Sequence, residues 1–147
     1  MSAHANGLTP ARPGSAFSPR TVRGALTLDA LVTAGNGLAY LAFPGPLGDL
    51  LGAGRATVLD LGLLLTGYAV VVGVLATRRQ PPSLGVRAVI DVNLAWVVVS
   101  LVAMGVWLEP TTAGFVWIPL QAAAVGLFAV LQFSALRRSG RSRRRPA

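Results

Sequence analysis

Residues 87–138 read RAVIDVNLAWVVVSLVAMGVWLEPTTAGFVWIPLQAAAVGLFAVLQFSALRR. Two apolar runs, about 88–108 and 112–136, are separated there only by Glu109, Pro110 and Thr111. Each is close to the ~20 residues that a helix rising 1.5 Å per residue needs to cross a ~30 Å hydrocarbon core. Buried helices of water-soluble proteins are rarely apolar on every side over such lengths. Strands of a membrane barrel would be about half as long and would alternate. In lipid every backbone polar group needs an internal partner, so these runs are predicted to be transmembrane helices. The short link makes them antiparallel neighbours.

Two more runs of the same kind precede them, about 25–43 and 56–76. The predicted fold is therefore an all-α membrane protein, a four-transmembrane-helix bundle occupying residues 24–136. Residues 1–23 are rich in Ala, Ser and Gly, with Pro10, Pro13 and Pro19, and read as a disordered N-terminal tail. They do not read as a signal peptide, because the first apolar run starts late and no A-x-A site follows it. The connection 44–55 holds Pro44, Gly45, Pro46, Gly48, Gly52 and Gly54, and is predicted to be a loop. Pro81 and Pro82 mark the next one.

Charge decides the orientation. Charged residues are 12% of the chain, about half the usual share for a soluble domain. All 13 basic residues are arginine. Arg12, Arg20 and Arg23 precede the first run, and Arg78, Arg79 and Arg87 lie between the second and third. Arg137, Arg138, Arg141, Arg143, Arg144 and Arg145 follow the fourth, leaving only Arg55 for the other side. By the positive-inside rule both termini are expected to be cytoplasmic, in a multi-pass protein of the plasma (cell) membrane. The basic C-terminal tail, 137–147, is then an anchor that attracts anionic lipid head groups. The one-sided placement accounts for the net charge of +8 without nucleic acid, and no aromatic residues interleave the arginines.

Several chemistries are excluded. The chain has no cysteine and no lysine, and its one histidine is His4. Thiol catalysis, disulfides, Schiff-base chemistry and a His-based metal site all lack their residues. No phosphate-binding, zinc-protease or serine-hydrolase motif is present, so no catalytic, cofactor-binding or metal residue is assigned and no enzyme is expected.

What remains are polar residues inside the predicted spans, which are costly there and mark a candidate site. Asp29, Thr33, Asn36 and Tyr40 follow steps of 4, 3 and 4 and share one helical face. Gln121 and Gln132 share a face of the fourth run, and Asn93 and Ser100 a face of the third, with Trp96 close by. Matching depths pair Asn36 with Gln121, and Asp29 with Gln132. The stripe can serve as hydrogen-bonding glue between helices, or can line a solute or proton path. Asp29, Asp60 and Asp91 also fall in the opening turns of their predicted helices, and Glu109 just before Pro110. Negative charge is favoured at such positions by the helix dipole. Arg87 stands four residues before Asp91, within reach of an ion pair. Pro119 is expected to kink the fourth helix and free a carbonyl near Phe115. Trp107 and Trp117 read as an interfacial aromatic belt, and Gly35–Ala39 and Ala122–Gly126 as small-residue packing contacts.

The stretches LDALVTAGNGLAYLAF (28–43), RAVIDVNLAWVVVSL (87–101) and QAAAVGLFAVLQFSALRR (121–138) resemble small four-helix membrane proteins of high-GC actinobacteria. The resemblance implies the same architecture and carries over no functional residue. The leading expectation is a non-enzymatic structural or accessory membrane subunit that binds a membrane-protein partner or its own copies. The alternative is a small transporter or proton-linked carrier using the polar face of the first helix.

Overall fold

The computed structural model describes residues 19–106 and 110–143. Five helices follow in order: α1 (Pro19–Ala42), α2 (Pro44–Leu51), α3 (Arg55–Thr77), α4 (Ser83–Val106) and α5 (Thr112–Arg143). No strand occurs among the described residues. Among the described residues four segments are long and apolar enough to cross a membrane: Thr21–Ala42, Arg55–Thr77, Ser83–Val106 and Thr112–Arg138. The predicted all-α, four-span architecture is thus what the chain forms.

Several boundaries differ from the sequence reading. Helix α1 begins at Pro19, so residues 19–23 are helical rather than part of a tail. Proline suits a first helical turn, where its missing N–H is not needed. Helix α5 runs on to Arg143, well into the basic segment predicted to start at 137; arginine is a good helix former. The connection 44–55 is not a plain loop, because Pro44–Leu51 is a helix with proline at its start. Gly52 ends it at φ 70°, the left-handed conformation that glycine adopts without strain. Two of the breakers that suggested a loop, Pro44 and Gly52, are the start and stop signals of a short helix. Residues 1–18, Trp107, Glu109, Arg144 and Arg145 lie outside the described residues, and the readings made for them lie there too.

The dipole explanation of the aspartates does not hold. None of the helices has an acid in its first turn. The dipole's influence fades within that turn, so Asp29 needs another account.

Successive spanning helices pair as antiparallel hairpins, α1 on α3 and α4 on α5, and the hairpins join along α1 and α5. Helices α3 and α4 barely touch, although a short link connects them. Helices α1 and α3 approach closely. A Cβ on Gly37 would stand 2.8 Å from the Thr66 backbone nitrogen, and one on Gly62 would stand 3.1 Å from the Gly37 carbonyl oxygen. The contact foreseen at Gly35 is absent, since a Cβ there meets nothing within 4 Å. At Ala122–Gly126 the fit is ordinary, with Val97 3.9 Å from a Gly126 Cβ.

Two apolar clusters fill the interior. Leu26, Val72, Val86, Ile90 and Ala129 pack at the arginine-rich end, and Tyr40, Leu51, Val58 and Leu65 at the end that carries α2. The outer face is a continuous apolar surface, with Leu31, Leu63, Val71, Val98 and Val116 all more than 60% exposed. Water would penalise such a surface; hydrocarbon does not.

Links close both ends. At the arginine-rich end the Arg23 Nε donates to the Ala76 carbonyl at 3.0 Å, tying α1 to the last turn of α3. At the other end Thr111 caps α5, its Oγ1 accepting from the Gly114 N–H at 3.3 Å and donating to the Leu50 carbonyl of α2. Gly114 permits this seat, because a Cβ there would come within 2.7 Å of the Leu51 carbonyl oxygen.

Candidate functional site: a polar centre shared by four helices

Asp29 lies eight residues into its span, roughly 12 Å along the helix at 1.5 Å per residue. It is fully buried. An acidic side chain at this depth is tolerated only with partners, and three helices supply them. Thr33, one turn on, donates from Oγ1 to Asp29 Oδ1 at 3.2 Å. Asn93 of α4 and Gln132 of α5 each donate from their side-chain amide to Asp29 Oδ2 at 2.8 Å. The Asn93 amide also lies 3.5 Å from Gln132 Oε1.

The fourth spanning helix joins through Tyr68. Its hydroxyl donates to Asn93 Oδ1 at 2.8 Å and lies 3.3 Å from the Val89 carbonyl. Tyr68 holds the Asn93 amide with its oxygen outward and its nitrogen toward Asp29. Each spanning helix therefore places a polar side chain at one level, and α3 and α4, which otherwise hardly meet, are bridged there. Asn93 and Thr33 are buried and Gln132 is fully buried.

The depth match between Asp29 and Gln132 is realised. Asn93 reaches the same carboxylate, which helical spacing within α4 alone could not show. Tyr68 was missed, because a lone tyrosine in an apolar run carries no periodic signal. The pairing of Asn36 with Gln121 does not form. The two residues line a cavity of about 40 Å³ with Thr33, Leu65 and Trp96, and the Gln121 Nε2 is buried without a partner. Such a space is large enough for about one water molecule. Further along the seam, Trp117 Nε1 donates to the buried Tyr40 hydroxyl at 3.3 Å. Trp117 thus links α5 to α1 besides facing outward. Among the described residues no group of three His, Cys, Asp or Glu side chains comes together around a metal position.

Replacing Tyr68 with phenylalanine keeps the ring and removes both contacts of the hydroxyl. The expected loss is about 1 kcal/mol of bundle stability, at the ~0.6–1.7 kcal/mol found for interhelical hydrogen bonds in membranes. Unfolding in mixed micelles reads it directly, and an unchanged midpoint would show that Asn93 holds its orientation unaided.

Together the fold and this centre define a multi-pass helical membrane protein, with a buried polar centre set among apolar clusters and an apolar outer face. No protein-family model, no curated protein and no solved structure matches the chain.

Proposed function

We propose that the protein is a non-enzymatic structural or accessory subunit of the plasma membrane, with both termini cytoplasmic. One observation carries the reading. Asp29 has no exposed surface, and its carboxylate accepts hydrogen bonds from side chains of α1, α4 and α5. A carrier's acid must alternate between open sides. This one is committed to holding helices together, the role that interhelical hydrogen bonds play in lipid.

The outer surface is then the place for partners. Helix α4 is the least enclosed of the four, and Val98, Val99 and Val102 form an open apolar strip on it. A partner's helix, or a second copy of the chain, would pack there. The orientation is supported by the arginines at the start of α1 and the end of α5, by Arg78 and Arg79 between α3 and α4, and by Arg87 early in α4.

The carrier reading has one observation in its favour, the small cavity beside Thr33 and Asn36 with its unpartnered Gln121 amide. Cysteine accessibility separates the two, because the natural chain has no cysteine. Single cysteines at Thr33, Asn36 and Tyr40 are exposed in native membranes to an impermeant maleimide from each side in turn, with Leu31 and Val98 as lipid-facing controls. The expected result is no labelling at Thr33 and Asn36 from either side. Labelling that runs along the stripe and is blocked by a solute would make the protein a carrier.

A further inference from the structure

Away from the polar centre, a groove of about 660 Å³ opens between α4 and α5, at the arginine-rich end of the bundle. That volume lies within the ~300–1,000 Å³ usual for small-molecule sites. Its walls are apolar, formed by Ile90, Leu94, Val130 and Phe133, and its rim carries Arg87, Asp91 and Arg137. The Arg137 guanidinium stacks on the Phe133 ring at 4.7 Å from the centroid, which holds it over the groove. The ion pair expected between Arg87 and Asp91 is not formed, and neither is engaged by another described side chain.

This arrangement has the polarity of a phospholipid. Apolar walls face the hydrocarbon, and the cations sit where the spans end, at Arg137 near the close of the Thr112–Arg138 segment and Arg87 near the opening of Ser83–Val106. We propose that the groove binds one anionic phospholipid, such as phosphatidylglycerol. One acyl chain lies along Leu94 and Phe133. The phosphate bridges Arg87 and Arg137, with guanidinium groups suited to paired hydrogen bonds to its oxygens. Two arginines and one aspartate leave a net charge of +1, which a lipid of charge −1 neutralises and a zwitterionic lipid does not. Lipid bound there would tie α4 to α5 beyond their own contacts. The proposal is independent of the role assigned to the polar centre.

The test uses the full chain in detergent micelles titrated with dioleoyl phosphatidylglycerol, phosphatidylethanolamine or phosphatidylcholine, with bound lipids counted by native mass spectrometry. One phosphatidylglycerol per chain is expected to be retained in preference to the other two. Replacing both rim arginines (R87Q with R137Q) should weaken its binding about 25-fold, from roughly 1 kcal/mol per charge near a lipid surface. The pair R78Q with R79Q removes the same charge from the same end but outside the groove, and should leave retention within about twofold, since screened charges off the site add little. Leu94→Trp fills the groove without touching a charge and should also abolish retention. Equal binding of all three lipids, or equal loss in the two arginine pairs, would overturn the proposal in favour of unspecific attraction to the basic end.

Discussion

Replacing Asp29 with leucine is expected to destabilise the bundle by roughly 2–5 kcal/mol, the largest loss from any single side chain of the polar centre. The estimate takes the three hydrogen bonds its carboxylate accepts at ~0.6–1.7 kcal/mol each in a membrane interior. Leucine removes the acceptor and leaves the Asn93 and Gln132 amides facing an apolar group. Because those amides belong to α4 and α5, the damage falls on the contact between the two hairpins. Asp29→Asn should behave quite differently. An amide oxygen in place of Oδ2 still accepts from Asn93 and Gln132, and the amide nitrogen in place of Oδ1 faces the Thr33 hydroxyl, which can turn from donor to acceptor. The expected cost is less than about 1 kcal/mol. Unfolding midpoints of the three chains in mixed micelles supply the comparison. The pair also bears on function. A lock needs only the hydrogen-bonding shape, which asparagine supplies, whereas a proton carrier needs the acid. If Asp29→Asn folds normally but abolishes proton-coupled uptake into vesicles, the carrier reading replaces the accessory one.

The second large effect is expected at Gly37. A Cβ there would lie 2.5 Å from Thr66 Oγ1 and 2.8 Å from the Thr66 backbone nitrogen. A side chain can turn aside, but a backbone nitrogen moves only with its helix. Gly37→Leu must therefore push α1 and α3 apart along their most extensive contact, at a cost of about 3 kcal/mol, the upper part of the usual range for overpacking. Two positions earlier on the same helix, Gly35 faces open space. Gly35→Leu should be neutral or slightly stabilising, since leucine is the better helix former by up to about 1 kcal/mol. The contrast controls for composition, since both variants add the same atoms to the same helix. Equal midpoints for the two would mean that α1 and α3 can separate freely, contrary to the crossing at Gly37 and Gly62.

The number of spans, their helical form and their antiparallel order were legible along the chain. Lipid imposes rules that act on single segments: enough apolar length, and backbone groups satisfied within the helix. Runs such as 88–108 and 112–136 meet those rules without reference to any neighbour. The inward face of α1 was legible for a similar reason, because 3.6-residue periodicity lines up Asp29, Thr33, Asn36 and Tyr40 whatever lies opposite. Opposite α1, periodicity has no say. Which residues meet depends on how far each helix is shifted along and turned about its axis, and packing of apolar surfaces against one another sets those two quantities. Depth matching found Gln132 for Asp29, yet the same argument joined Asn36 to Gln121, which line one small cavity without bonding across it, since equal depth does not set the distance between two helices. Tyr68 and Asn93 entered the centre only when the hairpins were docked. Small-residue spacing likewise suggested Gly35, while the crossing of α1 and α3 chose Gly37. Segment-level rules thus lie in the chain as a one-dimensional text, whereas the polar centre and the α4–α5 groove exist only once four helices have settled their mutual rotation.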